Sequence, residues 1–197
     1  MEQSLRPRDI RQYERRYRLA HWLIKGQIIM DGVALSESPN WLSRCRPHAG
    51  ARVFRSALNH VPMSWPTMFF LGKIYQRIGR PGVAIRWYKQ ALEIEPGQPG
   101  VAREAAIMAV ELGRYELSVQ LTQLAIEGRP NDGSLYLNLG LSYLLTGRSH
   151  EAVEAFKRAA ILEPGYQLTS RFLKLAEQVE SGQRPCPKNE REIRSAV

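Results

Sequence analysis

The side chains of this 197-residue chain best suited to nucleophilic, acid–base or metal chemistry are four histidines and two cysteines, and their spacing supports none of it. His21, His48, His60 and His150 belong to no metal-binding pattern of Cys, His, Asp and Glu, and read as surface or packing residues. Cys45 and Cys186 form neither a redox pair nor a metal half-site, and two cysteines are too few for a disulfide scaffold. The Gly-Arg pairs at 79–80, 113–114 and 147–148 look like turns, not loops that cradle phosphate. The sequence therefore predicts no catalytic residue, no metal, no cofactor and no enzymatic activity. Its sparse cysteine use fits a reducing compartment, and a cytoplasmic location is the expectation.

What remains is recognition chemistry. The formal net charge is +9, from 28 Lys+Arg against 19 Asp+Glu. Residues 1–62 hold 11 basic and 5 acidic side chains, residues 63–166 hold 11 and 10, and residues 167–197 hold 6 and 4. The excess is thus concentrated at the N-terminal end. Asp9–Met30 reads as a helix in which Arg11, Arg15, Arg16, Arg18 and Lys25 interleave with Tyr13, Tyr17 and Trp22. Arginines among aromatics can bind phosphates and stack bases, so contact with nucleic acid or an anionic membrane is the alternative function. Against it, the rest of the chain is near neutral and contains no recognised nucleic-acid module. The blander reading packs the apolar face of this helix on the remaining domain. The tract LAHWLIKGQIIMDGVAL is interrupted by Lys25, Gln27 and Asp31, short of the roughly 20 apolar residues that a membrane span needs. No transmembrane segment or secretory signal is expected.

The elements that would present such surfaces repeat with a period of 34 residues. Gly72, Ala106 and Gly140 align, as do Gly79, Gly113 and Gly147, each followed by arginine. Ala84, Ser118 and Ala152 align, then Ala91, Ala125 and Ala159, then Pro96, Pro130 and Pro164. Three windows result, 65–98, 99–132 and 133–166, without an insertion. Each reads as two helices joined by a Gly-Arg turn. A glycine inside a helix costs about 1 kcal/mol against alanine, so Gly72 and Gly140 must sit where a close helix crossing compensates. Ser149 is a plausible N-cap for the last of these helices. Upstream, Phe54, Ala57 and Pro62 keep the register and suggest a degenerate unit, 31–64, whose second helix is His48–His60. Downstream, 167–181 reads as a capping helix with Phe172, Leu175 and Val179 inward. Residues 182–197 are poor in apolar content and are expected to be disordered.

This pattern resembles the tetratricopeptide repeat (TPR) family. The first window carries the motif as Met68, Leu71, Gly72, Tyr75, Gly79, Ala84, Tyr88, Ala91 and Pro96. The third carries it as Tyr136, Leu139, Gly140, Tyr143, Gly147, Ala152, Phe156, Ala159 and Pro164. The second departs, with Ala105, Ala106, Ala109, Ser118 and Thr122 in place of more usual residues. The resemblance implies an all-α fold, a right-handed superhelix of antiparallel helix pairs (an α-solenoid). It divides the chain into 1–64, the three repeats of 65–166, a cap at 167–181 and a tail at 182–197. It further implies a concave groove lined by the first helix of each repeat. Carried over position by position, the groove would take Phe69, Phe70, Lys73 and Arg77 from the first repeat. From the second it would take Arg103, Ile107 and Val110, and from the third Leu137, Asn138, Leu141, Leu144 and Leu145. So many leucines do not face water unless something covers them. A partner, the next helix of the stack, or the N-terminal helix lying in the groove would each do so.

The family includes proteins that grip the C-terminal carboxylate of heat-shock chaperones. The matching places are Phe69, Lys73, Glu104, Ser134 and Asn138, which keep one asparagine and add a glutamate, so that activity is not expected. The function the resemblance implies is a protein-interaction adapter or scaffold that binds a peptide or amphipathic helix in its groove, with self-association a further possibility.

Overall fold

In the computed structural model, residues 62–196 are described, together with 51, 52, 54, 55, 58 and 59 further up the chain. Within residues 62–196 eight helices follow one another: α1 Trp65–Arg77, α2 Pro81–Ile94, α3 Pro99–Glu111, α4 Tyr115–Gly128, α5 Gly133–Leu145, α6 Ser149–Leu162, α7 Gln167–Glu180 and α8 Glu190–Ala196. The first six form the hairpins α1/α2, α3/α4 and α5/α6, each helix packing on its neighbours in sequence. The architecture is an α-solenoid. No described helix is long and apolar enough to cross a membrane. The N-terminal helix Asp9–Met30 and the first helix of the upstream unit fall outside the described residues.

The turns between paired helices are set by glycine. Gly79, Gly113 and Gly147 have φ of +72°, +68° and +79°, a region L side chains rarely adopt. Each allows the same closure of the preceding helix: Gly147 N–H donates to Leu144 O and Arg148 N–H to Tyr143 O, at 3.1 and 2.9 Å. The arginine that follows is at once the end of one helix and the N-cap of the next, since Ala152 N–H donates to Arg148 O at 3.0 Å. Ser149 is therefore the first helical residue and not the cap. The cap of α5 is Asp132, whose side chain accepts from Ser134 N–H at 3.1 Å.

Inside the hairpins the small residues meet rings. A Cβ added at Gly140 would come within 2.6–2.8 Å of the Phe156 ring, and one at Gly72 would overlap the ring of Tyr88. Both rings are fully buried. In the middle repeat the ring is replaced by Thr122, and the facing position can be Ala106. That covariation explains why the second repeat departs from the motif without losing register.

Two clusters of buried side chains fill the stack. One runs from Met68 and Leu71 through Tyr88, Val101 and Met108 to Leu135; the other joins Leu139, Tyr143, Leu144, Val153, Phe156 and Leu175. Ile126 packs against both, so the core is continuous. Upstream, Ala51 is buried, and Phe54 and Leu58 pack on the first cluster. Phe54 stacks on Phe70 at 5.9 Å between centroids. Thr169, Leu175 and Ala176 of α7 are buried, and Phe172 stacks on Phe156 at 5.9 Å. Residues 182–197, expected to lack structure, instead include α8, with Ile193 only 3% exposed. Overall composition missed what one aliphatic side chain can reach.

Alanine is the better helix former by about 1 kcal/mol, so propensity alone would make Gly140→Ala stabilising. The Phe156 ring reverses the sign, because overpacking costs about 1–3 kcal/mol. Urea unfolding should find Gly140→Ala destabilised, with the loss abolished in a Phe156→Thr background that recreates the Ala106–Thr122 pairing. A second expectation concerns the cap. His150 Nδ1 and Glu180 Oε1 lie 2.7 Å apart across α6 and α7. That hydrogen bond, then the Glu180 charge, raises the imidazole pKa above its ordinary 6.5. A raised folded-state pKa stabilises fully below the unfolded value and is lost as pH rises through the folded value. The urea midpoint should therefore fall between about pH 6 and pH 8 by more in the wild type than in Glu180→Gln, and salt should shrink the difference.

Candidate functional site

The first helices of the three repeats, α1, α3 and α5, with α7 after them, line one side of the stack. The two ends of that surface differ in chemistry. At the α1 end, Phe69 meets Phe70 edge-on at 5.5 Å and lies 5.8 Å from the Tyr88 ring. Both phenylalanines are half-buried, so they serve the packing of their own hairpin as well as the surface. Tyr88 donates from its hydroxyl to Gln76 Oε1 at 2.8 Å, and burial pushes its pKa up, reinforced by Glu104 and Glu111.

Next come the charges. Lys73 Nζ is 3.1 Å from one oxygen of Glu104, and Arg103 Nη2 is 3.3 Å from the other. The Glu104 side chain is itself only 8% exposed. Two of the three cations expected to face a ligand thus already hold an internal carboxylate, while Arg77 is exposed.

The α5 end is apolar. A cavity of about 240 Å³ is bounded by Ala106, Ile107, Val110, Ser118, Asn138, Leu141 and Phe172, and by Glu190 and Ile193 of α8. Four of the residues expected from sequence, Ile107, Val110, Asn138 and Leu141, come together here. Beneath them Ser118 and Ser142 share a hydrogen bond of 2.8 Å, and Ser142 donates to Asn138 O at 2.9 Å. These close α4 against α5 and hold the wall. Glu111 sits nearby with its pKa raised, chiefly by burial and further by the Glu190 carboxylate.

Leu137 is half-buried against the second core cluster. Leu144 and Leu145, expected on the groove wall, are core residues at 0% and 8% exposure. They share a cluster with Val153, Phe156 and Leu175, which places them toward α6 and α7. Leu144 and Leu145 share the Leu141 side of the helix one turn on, and they are buried because α6 and α7 cover that last turn, so the leucines are divided between wall and core. Sequence reasoning missed Ala106, Ser118, Phe172, Glu190 and Ile193. The first two occupy small repeat positions, and Phe172 belongs to the cap. For α8 the signal was Asn189-x-x-Glu192, a helix-start pattern, followed by a single isoleucine.

The tail reaches the cavity after a turn and two hydrogen bonds to the repeats. Gly182 turns at φ +73°. Cys186 Sγ donates to Leu144 O at 3.0 Å, and Tyr115 donates from its hydroxyl to Lys188 O at 3.4 Å. Burial raises the Cys186 thiol pKa. Burying one isoleucine contributes about 1.5–3 kcal/mol, and ordering each backbone residue costs about 1–2 kcal/mol. The strap is therefore among the least firmly held parts of the fold.

Of the chemistry-bearing residues, His21, Cys45, His48 and His60 lie outside the described residues. Among those described, no three His, Cys, Asp or Glu side chains converge on a metal-sized site.

A stack of helix hairpins with an apolar trough on one side defines a helical-repeat protein of the solenoid class. A family model for the tetratricopeptide repeat matches residues 47–169. The chain belongs to that family. Among curated relatives, tetratricopeptide repeat protein 7B of Homo sapiens is 28% identical over 118 residues, which is 60% of this chain and 14% of that protein. The match thus spans a small part of that relative. Among solved structures, MamA superposes with a TM-score of 0.67 at 21% identity, covering 78% of this chain and 88% of that one. YrrB, described as a TPR protein with an unusual peptide-binding site, superposes at 0.66 with 18% identity, covering 80% of each. At these identities the structures speak to fold alone.

The split between wall and core is measurable. Leu144→Ala should cost about 2–5 kcal/mol in urea unfolding, as large-to-small core changes do. Leu141→Ala, on the wall, should cost less than half as much.

Proposed function

We propose that this protein is a non-enzymatic adapter that binds a short amphipathic helix or peptide of another protein in the groove formed by α3, α5 and α7. The observation that supports this most directly is the apolar cavity of Ile107, Val110, Leu141 and Phe172, edged by the Asn138 amide. A soluble repeat surface keeps such a trough when something docks in it. YrrB, similar in fold, is described as having a peptide-binding site, which fits this reading. At the α1 end, Phe69, Phe70 and Arg77 would extend the contact. Lys73 and Arg103 share the single Glu104 carboxylate, which leaves one positive charge over, so they contribute less to an acidic ligand than two free cations would. Apolar fit at the α5 end then dominates specificity.

The alternative, binding of nucleic acid or anionic membrane by Asp9–Met30, rests on residues outside those described. Residues 63–166, with 11 basic and 10 acidic side chains, offer it no strong field.

Helical peptides selected from a display library on the full chain should lose binding at least about tenfold on Leu141→Asp or Ile107→Asp. They should keep it on Gln120→Arg, a change at an exposed position of α4. Fluorescence anisotropy reads both. Retained binding in Leu141→Asp, with helical content intact by circular dichroism, would sink the groove assignment.

A further inference from the structure

Helix α8 begins with a full set of its own caps. Asn189 Oδ1 accepts from Glu192 N–H at 3.1 Å, while the Glu192 carboxylate accepts from Lys188 N–H at 2.8 Å and from Asn189 Nδ2 at 3.1 Å. These bonds fix the rotation of the helix. Glu190, Ile193 and Ala196 recur at intervals of three and share a face. Glu190 and Ile193 line the cavity, and Ala196 packs on the same cluster. That is the footprint of a short helix docking in a groove. Seven residues are too few to hold a helix in water by themselves, so the order of α8 depends on its seat. The seat is small: Ile193 is buried, and most hydrogen bonds around it are exposed.

We propose that residues 187–196 are a displaceable built-in occupant of the groove, standing where a partner's helix docks. This deepens the adapter reading and rests on it. A partner must exchange with the strap, so it resembles the strap: a short helix with a branched aliphatic residue where Ile193 sits and a carboxylate three residues earlier. The tether gives α8 a high effective concentration at its seat. Partner affinity is accordingly lowered by the fraction of time that the seat is filled.

The test uses the full chain and a fluorescein-labelled peptide, PKNEREIRSAV, identical to residues 187–197. Anisotropy titrations compare the wild type with Ile193→Asp, whose charge unseats α8 outside the three hairpins; circular dichroism checks that the helices persist. The peptide should bind Ile193→Asp at least about tenfold more tightly than wild type, with Ile193→Ala between them. A peptide carrying the Ile193→Asp change should bind neither chain. Amide hydrogen exchange at 190–196 should be slower in the wild type than in the variant. Equal affinity for the two chains, or no binding to Ile193→Asp at millimolar peptide, overturns the proposal. A wild-type mass that rises with concentration in sedimentation would assign the seated helix to a second copy and overturn the intramolecular form. Leu141→Asp added to Ile193→Asp separates the two readings. Peptide binding that survives it lies outside the groove and defeats the adapter site itself. Binding that it abolishes, but that is equal in wild type and Ile193→Asp, defeats the strap alone.

Discussion

The closest approach of two helices in each hairpin is the constraint on which the structure depends. A ring from the second helix lies directly over a glycine of the first, with no room for a Cβ between them at Gly72 or Gly140. This contact sets how deeply each pair interlocks, and hence which faces are left for the neighbouring hairpins. Because it recurs every 34 residues, each hairpin presents the same flanks to the next and the stack propagates. The middle repeat shows that the constraint concerns summed volume rather than residue type. With Thr122 in place of the ring, the glycine becomes Ala106, and both remain buried.

That constraint also explains what was legible in the sequence. The Gly-Arg turns, the small positions and the terminal prolines could be read because each place tolerates few residue types. Gly79, Gly113 and Gly147 need a positive φ, and Pro96, Pro130 and Pro164 each stand two residues past a helix end, where a proline blocks continuation. The wall of the groove was legible only in part. Leu141 and Leu144 lie on nearly the same face of one helix, and they differ because side chains of α6 and α7 cover Leu144 while Leu141 borders the cavity. The assignment depends on how α5 is rotated against α6 and α7, which no local preference determines. The pairing of the charged residues was not legible for a related reason. Lys73, Arg103 and Glu104 come from two repeats, and their pairing appears only once the stack exists.

The tail shows a different limit. Its composition is that of a segment unable to form a core, and by itself it forms none. It borrows one, inserting Ile193 among side chains that the repeats have already assembled. Composition measures what a segment can bury in itself, and a strap needs only what it can bury in others. The same shortage of apolar contact that hides α8 from sequence reasoning leaves it weakly seated.

The groove therefore divides its labour along its length. At the α1 end, the rings cover one another and Glu104 pairs with Lys73 and Arg103, so that end offers an acidic ligand less than its cations imply. At the α5 end, the repeats leave an apolar hollow that their own helices do not fill, and the chain closes it with its last described helix. Nearest-neighbour stacking can bury the flanks of every hairpin but not the trough that their curvature creates. The trough must be polar, or covered by a transient guest, or covered from within. Here the polar solution is realised at one end and the internal cover at the other, where Asn138 and Ser118 are the neutral polar residues of the cavity wall. A partner docking as proposed would meet the end whose cover is cheapest to remove.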